Sequence, residues 1–222
     1  MKMVVVGGNS HGIGKTSVVA GIIAALPHRN WLAIKLTQLG YDTASGERSG
    51  EGRDLHHDAD TAAFAIREER DRSGTTDTSR FLAAGAQRAL WITVPQGTME
   101  AALPEILRAI EGRENVIMES NSILRFFDPN VYLSVLDPST KDFKASAREY
   151  LDRADAFLAL GPLPETSPWP DVPLATVLQK PLFVLRSNDQ APAQRRIVVP
   201  REIAEFVESR LRGDRDARYL FS

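Results

Sequence analysis

A glycine-rich stretch near the start of the chain has the residue types to bind phosphate. It contains three glycines, a lysine and several hydroxyls, in the order Gly8, Asn9, Ser10, His11, Gly12, Ile13, Gly14, Lys15, Thr16 and Ser17. Gly12 and Gly14 lack a Cβ, so the backbone can approach an anion closely. Lys15 can reach the terminal phosphates of a nucleotide, and the Thr16 hydroxyl can ligate Mg²⁺. The stretch therefore predicts a phosphate-binding loop (P-loop) for ATP or GTP with Mg²⁺.

Two charged residues that follow apolar runs are candidates for the same site. Lys35 follows the run that ends at Ile34, near the end of a predicted strand, where it can neutralise charge on a transferred phosphoryl group. Glu119 closes the run Val116–Met118 and can hold Mg²⁺ or its waters. The alternatives are a surface lysine and a solvated strand end, and the P-loop nearby favours the metal role of Glu119.

The segment that begins at Thr76 offers further functional groups just before another predicted strand. Asp77 can cap the helix that it opens, which is a purely structural role. Alternatively, it acts with the two lysines as a third catalytic residue that orients the nucleophile. Three further side chains are assigned to substrate binding: Ser79, Arg80 and Asn121.

Residues 40–60 are polar and rich in glycine, and they separate two predicted strands. A loop of this length within a compact domain is usually functional or mobile, so we expect a long mobile active-site loop. Asp60 is the candidate that completes the Mg²⁺ site, with Asp58 and Asp54 as alternatives. His56–His57 point to opposite sides of an extended chain, which argues against one shared metal ion. The competing interpretation is a solvated loop without a site.

Short apolar runs alternate with segments of helical period along the chain. Runs that are apolar at nearly every position are typical of strands buried on both faces of a parallel sheet, and they are Met3–Val6, Trp31–Leu36, Leu90–Val94, Val116–Met118, Tyr132–Leu136, Ala156–Leu160 and Leu182–Leu185. The predicted helices are Thr16–Leu26, Met99–Ile110, Ala145–Leu151 and Arg201–Leu211. We predict a three-layer α/β fold, with a mostly parallel sheet of about seven strands, helices on both faces, and one domain over residues 1–222.

Two connections between these elements have a distinctive composition. Pro162–Pro173 is rich in proline and predicts an extended connection on the surface. Asp137–Lys144 follows a strand and could face the site, but a turn with a helix cap is the favoured interpretation.

The P-loop departs from the usual spacing. A glycine normally stands five residues before Gly14, but Asn9 occupies that position and the glycine is Gly8, so the loop is one residue longer. In this respect it resembles the loop of dethiobiotin synthetase. The related ParA/MinD ATPases carry a second lysine early in the loop, where this chain has Ser10. The resemblance therefore does not extend to a partitioning switch.

Other residues resemble the molybdopterin-guanine dinucleotide biosynthesis B (MobB) family. Lys35 looks like the strand lysine that this family and dethiobiotin synthetase direct at the nucleotide. Asp77–Ala86 resembles the Asp-Ser/Thr-x-Arg…Ala-Gly-Ala segment of the MobB family, although Phe81 replaces its histidine. Both families place a glycine after the glutamate that Glu119 matches, and here Ser120 follows.

The chain thus resembles a divergent relative of both families, and two functions follow from that resemblance. The first is an enzyme that uses ATP or GTP with Mg²⁺ to phosphorylate or activate a small metabolite. The second is a GTP-binding accessory protein for molybdopterin-type cofactor assembly, with weak GTPase activity.

The composition limits the partners and the location. With 222 residues, 43% hydrophobic residues and a net charge of −2, the chain is typical of a globular protein, and its charge gives no reason to expect nucleic acid or a membrane surface as partner. No apolar run reaches the roughly 20 residues of a spanning helix. The absence of cysteine excludes disulfides and fits a reducing cytoplasm. We expect a cytoplasmic homodimer that binds a nucleoside triphosphate and a small-molecule substrate.

Overall fold

One large sheet dominates the structure, a computed structural model that describes residues 1–41, 48–49, 64–185 and 198–220. Its strands are β1 (Lys2–Gly8), β2 (Leu32–Tyr41), β3 (Arg48–Ser49), β4 (Ala65–Glu68), β5 (Arg88–Pro95), β6 (Asn115–Glu119), β8 (Val131–Leu136), β9 (Ala156–Leu160) and β10 (Leu182–Leu185). A separate two-stranded sheet joins β7 (Phe127–Asp128) to β11 (Arg218–Tyr219). The helices are α1 (Lys15–Ala25), α2 (Asp77–Ala83), α3 (Met99–Ile110), α4 (Ala145–Glu149), α5 (Leu174–Leu178) and α6 (Arg201–Leu211).

The strand order places β1 in the middle of the sheet. The order is β10-β9-β8-β1-β6-β2-β5-β4, and β3 pairs with the end of β2. Every pair from β10 to β5 is parallel, whereas β4 and β3 are antiparallel to their neighbours. Strands β1, β6 and β8 lie inside the sheet with helices over both faces, so their residues are almost all buried and mostly apolar.

Two hydrophobic cores cover the two faces of the sheet. Alternate residues of β1 face opposite cores: Val4 and Val6 pack with α1, α2 and α6, whereas Met3 and Val5 pack with α3, α4 and α5. Helix α3 shows the pattern in sequence, because its buried residues recur every three or four positions. The result is a helix–sheet–helix sandwich, so the predicted three-layer, mostly parallel α/β fold is confirmed.

The structure also corrects several boundaries. All seven predicted strands are present, but β2 continues to Tyr41, so the predicted loop at 40–60 begins inside a strand. Strand β4 was not predicted, because two of its four residues are charged and it lies exposed at the sheet edge. Pro162–Pro173 lacks helix and strand as expected, yet Trp169 within it is buried.

Strand register brings the predicted site residues to one level of the sheet. Val6 of β1 pairs with Glu119 of β6, and Glu119 pairs in turn with Lys35 of β2. The prediction that Lys35 lies near the end of its own strand is therefore wrong. Lys35 lies within β2, at the level where the neighbouring strand β6 ends. Among the described residues, no helix is long and apolar enough to cross a membrane.

Candidate functional site

The P-loop joins β1 to α1 at the carboxyl end of the central strand. Gly12 and Gly14 have φ angles of 65° and 86°, in the region that favours glycine. Gly14 is the N-cap of α1, so the helix begins at Lys15. The backbone thus turns as a phosphate-binding loop must, and the amino end of α1 points toward the same space.

The base of the P-loop is packed so closely that two glycines are required there. A Cβ on Gly7 would lie 2.0 Å from Asn121 Oδ1, and one on Gly8 would lie 2.9 Å from the carbonyl oxygen of Val135. The Tyr132 ring also lies against Gly7. Burial raises the pKa of the Tyr132 hydroxyl to about 12, so this side chain stays neutral beneath the loop.

Asn121 holds the start of the P-loop. Its Oδ1 accepts the Gly8 N–H at 2.9 Å, and its Nδ2 donates to the Gly8 carbonyl at 3.0 Å. This paired contact fixes both polar groups of one backbone residue. The amide of Asn121 therefore has a positioning role in the loop, and its assignment to substrate binding stays a prediction.

Asn9 and Ser10 fasten the P-loop to the segment 137–144. Asn9 is fully buried; its Oδ1 accepts the Asp137 N–H at 2.9 Å and its Nδ2 donates to the Asp142 carbonyl at 2.9 Å. The Ser10 hydroxyl donates to Asp142 Oδ2 at 2.6 Å. The Lys144 N–H donates to the Asn9 carbonyl at 2.8 Å. Asp137, Asp142 and Lys144 are thus part of the site, and a turn with a helix cap is an incomplete description of the segment that holds them.

Lys15, Thr16 and Glu119 are buried together beside the loop, each at most 7% exposed. The Lys15 ammonium donates to the Ser10 carbonyl at 2.9 Å, which holds it across the P-loop. The Thr16 hydroxyl donates to Glu119 Oε2 at 2.8 Å. The two residues predicted to hold the metal therefore lie in hydrogen-bond contact, and the lysine predicted to meet the phosphates is buried beside them.

A series of polar contacts, here called the polar ring, begins and ends on the first turn of α1, where its two ends are neighbours in the chain. Its members are Thr16, Glu119, Lys35, Asp77, Arg80 and Ser17. Glu119 Oε1 lies 3.5 Å from the Lys35 ammonium, which also pairs with Asp77. Arg80 then contacts Asp77 at 3.9 Å and donates to the Ser17 hydroxyl at 2.6 Å. The two cations and two carboxylates of the ring balance one another.

Asp77 enters the ring because another residue caps α2. The N-cap is Thr76, not Asp77 as the structural interpretation predicted, and its hydroxyl accepts the Ser79 N–H at 3.1 Å. Ser79 Oγ in turn accepts the Thr76 N–H at 2.8 Å, which completes a capping box. Ser79 is fully buried, so its hydroxyl serves this cap, and the substrate contact predicted for it stays a prediction.

The oxygen pair of Thr16 and Glu119 fits Mg²⁺. This ion usually takes one or two protein oxygens and completes its shell with water and substrate phosphates, so a larger cluster of ligands is not needed. The described residues contain no group of three or more His, Asp or Glu side chains that could hold a metal. Asp60, Asp58, Asp54 and His56–His57 lie outside the described residues, so their predicted roles stay predictions.

A polar cavity of about 230 Å³ opens next to these groups, and Lys15, Glu119, Asn121 and Lys144 are among its lining residues. His11, an exposed residue of the loop, also borders it. Ile13 is buried in the core beneath the loop instead. A second ligand can therefore lie directly beside the predicted phosphate and metal groups.

Sequence reasoning overlooked several residues that build the site. The predicted loop begins at Gly8 and leaves Gly7 out, although a Gly7–Gly8 doublet at a strand end is a signal for close packing. Asp142 and Lys144 belong to a segment for which a turn is predicted. Their contacts with Ser10 and Asn9 join residues more than 130 positions apart, so the sequence alone does not place them in the site.

A central parallel strand that leads through a glycine loop into a helix is the hallmark of the P-loop NTPase fold. No protein-family model and no curated protein matches the chain. Among solved structures, the chain is similar to LpxK from Aquifex aeolicus, crystallised in complex with ATP, with a TM-score of 0.45 and 15% identity over 91% of this chain and 60% of that one. It is also similar to chloroplast FtsY from Physcomitrella patens, with a TM-score of 0.38 and 13% identity over 94% and 65% of the two chains.

The chain thus spans less than two thirds of the length of either neighbour. A likeness at this level carries no argument about activity. The chemistry of the site has to be inferred from its own residues.

Proposed function

We propose that this chain is a Mg²⁺-dependent enzyme that binds ATP or GTP and transfers a phosphoryl group to a small metabolite or activates it. The observation that carries the proposal is the buried cluster of Lys15, Thr16, Glu119 and Lys35 at the mouth of the P-loop, with a cavity directly beside it. A buried group of cations and metal-binding oxygens at this place serves a bound triphosphate.

Each residue of the cluster has a distinct role in this proposal. The P-loop N–H groups and Lys15 bind the phosphates, and Thr16 and Glu119 hold Mg²⁺. The bound ion would neutralise charge on the phosphate oxygens. Lys35 adds positive charge near the reacting phosphoryl group, and Asp77, whose side chain is 39% exposed, orients the nucleophile of the acceptor.

The alternative is a GTP-binding accessory protein for molybdopterin-type cofactor assembly, which the resemblance of Lys35 and Asp77–Ala86 to the MobB family supports. The polar cavity favours the enzyme, because an accessory protein that hydrolyses GTP alone has no use for an acceptor site. A metabolite that raises the rate of phosphate release supports the enzyme. Activity that appears only with a partner enzyme supports the accessory role. A homodimer stays a prediction, which light scattering can measure.

The proposal is tested by nucleotide-induced stabilisation and its loss in Lys15→Ala. With ATP or GTP and Mg²⁺ at about 100 times Kd, binding stabilises the native state by about 2.7 kcal/mol, so the Tm rises by several degrees. Lys15→Ala removes the cation that contacts the phosphates, and we expect the Tm to stay at its value without nucleotide.

The matched control is Lys141→Ala, which removes an exposed lysine and should preserve the wild-type shift. If neither nucleotide with Mg²⁺ raises the Tm of the wild type, the proposed function is wrong. If Lys15→Ala keeps the full shift, the phosphates bind elsewhere.

A further inference from the structure

The polar cavity is lined by charged side chains. Apart from His11, those that the described part of the chain contributes are Lys15, Lys144 and Glu119. Both carboxylate oxygens of Glu119 already face partners, the Thr16 hydroxyl at 2.8 Å and the Lys35 ammonium at 3.5 Å. The proposed nucleotide site uses Lys15. Lys144 also borders the cavity and is not among the residues of the proposed nucleotide site.

The backbone of Lys144 is fixed relative to the P-loop. Its N–H donates to the Asn9 carbonyl at 2.8 Å, and Asn9 is held by the hydrogen bonds to Asp137 and Asp142 described above. A fixed backbone removes one part of the entropy that binding an anion would cost, and only the side-chain rotamers remain to be ordered. The cavity thus has a lysine whose backbone is fixed beside the proposed phosphate site.

The neutral polar groups of the cavity are mainly hydroxyls and amides, which favour a polar ligand. The volume of the cavity favours a small one. Ser120, Ser122 and Ser146 contribute hydroxyls, and Gln38 contributes an amide. Each of these can both donate and accept hydrogen bonds. The volume of about 230 Å³ is below the roughly 300–1,000 Å³ of pockets for drug-sized ligands. A volume of this size suits a small polar metabolite.

We propose that this cavity is the acceptor site and that it takes a small acidic metabolite. A carboxylate or phosphate group of the metabolite pairs with Lys144, and its hydroxyl or amino groups bond to the serines. The proposal rests on the proposed function, because an acceptor has to lie beside a transferable phosphoryl group. Lys144 is then a specificity-determining residue for charge.

The test measures the binding of small probes to the full chain saturated with Mg²⁺ and a non-hydrolysable ATP or GTP analogue. Calorimetric titration compares malonate, inorganic phosphate and the neutral malonamide. We expect malonate or phosphate to bind at least ten-fold more tightly than malonamide, and the tighter of the two identifies the acidic group. Lys144→Gln should raise the Kd of that anion at least ten-fold more than it raises the Kd of the analogue.

Two variants serve as controls. Lys144→Arg keeps the charge and should restore most of the affinity for the anion. Lys141→Gln removes an exposed lysine of the same segment and should leave the anion Kd within two-fold of the wild type.

The possible failures are distinguishable. If the wild type does not bind the nucleotide analogue, the proposed function fails and this inference fails with it. If the analogue binds but malonate and phosphate bind no better than malonamide, this inference alone is overturned. It is also overturned if Lys144→Gln keeps the wild-type anion Kd, or if Lys141→Gln loses as much affinity as Lys144→Gln.

Discussion

Gly7 is the residue at which the chain leaves the central strand for the P-loop, and no side chain fits there. The nearest obstacle is Asn121 Oδ1, the same atom that accepts the Gly8 N–H. This oxygen cannot move away from a new Cβ without giving up its hydrogen bond to the loop. A substitution at Gly7 therefore affects both the packing of the sheet and the geometry of the phosphate site.

We expect Gly7→Ala to lower the free energy of unfolding by about 1–3 kcal/mol, the usual cost of overpacking. It should also weaken nucleotide binding, because the Asn121–Gly8 contact is disturbed. Urea denaturation and nucleotide titration measure the two effects. Gly213→Ala is the control, because its nearest atom would lie 3.6 Å from the added Cβ, an ordinary contact. Equal stability of the two variants would contradict the packing argument.

At the scale of elements, α2 shows how a short helix can position functional groups. It has seven residues, too few to be stable alone, so its cap and its packing decide whether it forms. The capping box of Thr76 and Ser79 satisfies two backbone donors at its start. The helix in turn places Asp77 and Arg80 in the polar ring.

Thr76→Ala should therefore destabilise the protein by about 1 kcal/mol, the typical cost of losing an N-cap side chain. Urea denaturation measures this change. The control is Thr98→Ala at the start of α3, where the threonine hydroxyl makes no capping bond and the loss should be smaller. If the Thr98 variant proves as costly as the Thr76 variant, the cap does not determine the stability of α2.

An element can be predicted from the sequence when its own residues carry the pattern that identifies it. Most of the seven parallel strands are buried on both faces, so each of these contains a nearly continuous apolar run that can be recognised without knowing its neighbours. Strand β10 at the sheet edge has the same apolar signal, although Val184 within it is 50% exposed. Strand β4 has no such signal, because it is a short edge strand with charged residues.

The same rule applies within the site. Lys15 and Thr16 belong to a local motif, whereas the contact of Ser10 with Asp142 joins residues 132 positions apart. Asp77 follows the Thr76 cap, and its carboxylate pairs with Lys35 of β2, which is 42 positions away in the sequence.

At the scale of the whole molecule, the segment after α6 returns to the start of the sheet. The Ala217 N–H donates to the Met1 carbonyl at 3.1 Å, and β11 pairs with β7. Asp128 of β7 pairs with Arg215 and, at 2.8 Å, with Arg218. Partial burial alone would raise the pKa of Asp128, but hydrogen bonds and charge from the two arginines outweigh it and hold the pKa below its ordinary value of 3.8.

This depressed pKa predicts a dependence of stability on pH. The contribution of Asp128 is complete above pH 3.8, the value of the unfolded chain, and declines as the pH falls toward the lower folded value. Asp128→Asn should therefore be less stable than the wild type at pH 7, by about 1 kcal/mol, with the difference shrinking below pH 4. Urea denaturation from pH 7 to pH 3 measures it. Asp214→Asn, at an exposed site in the same segment, should match the wild type throughout; an Asp128 gap that is constant with pH would contradict the assignment.

The polar ring has a consequence for how the site can change. Its members come from α1, β2, α2 and β6, and each of its four charged members has a ring partner on either side. Removing one charge leaves a neighbour unbalanced, so the loss of a second, adjacent member costs less than the same loss made first. Substitutions in the ring are therefore not independent steps. A redesign of this site has to exchange adjacent partners together. Each single exchange would give a variant with an unbalanced charge, which is less stable than both the original and the fully exchanged protein.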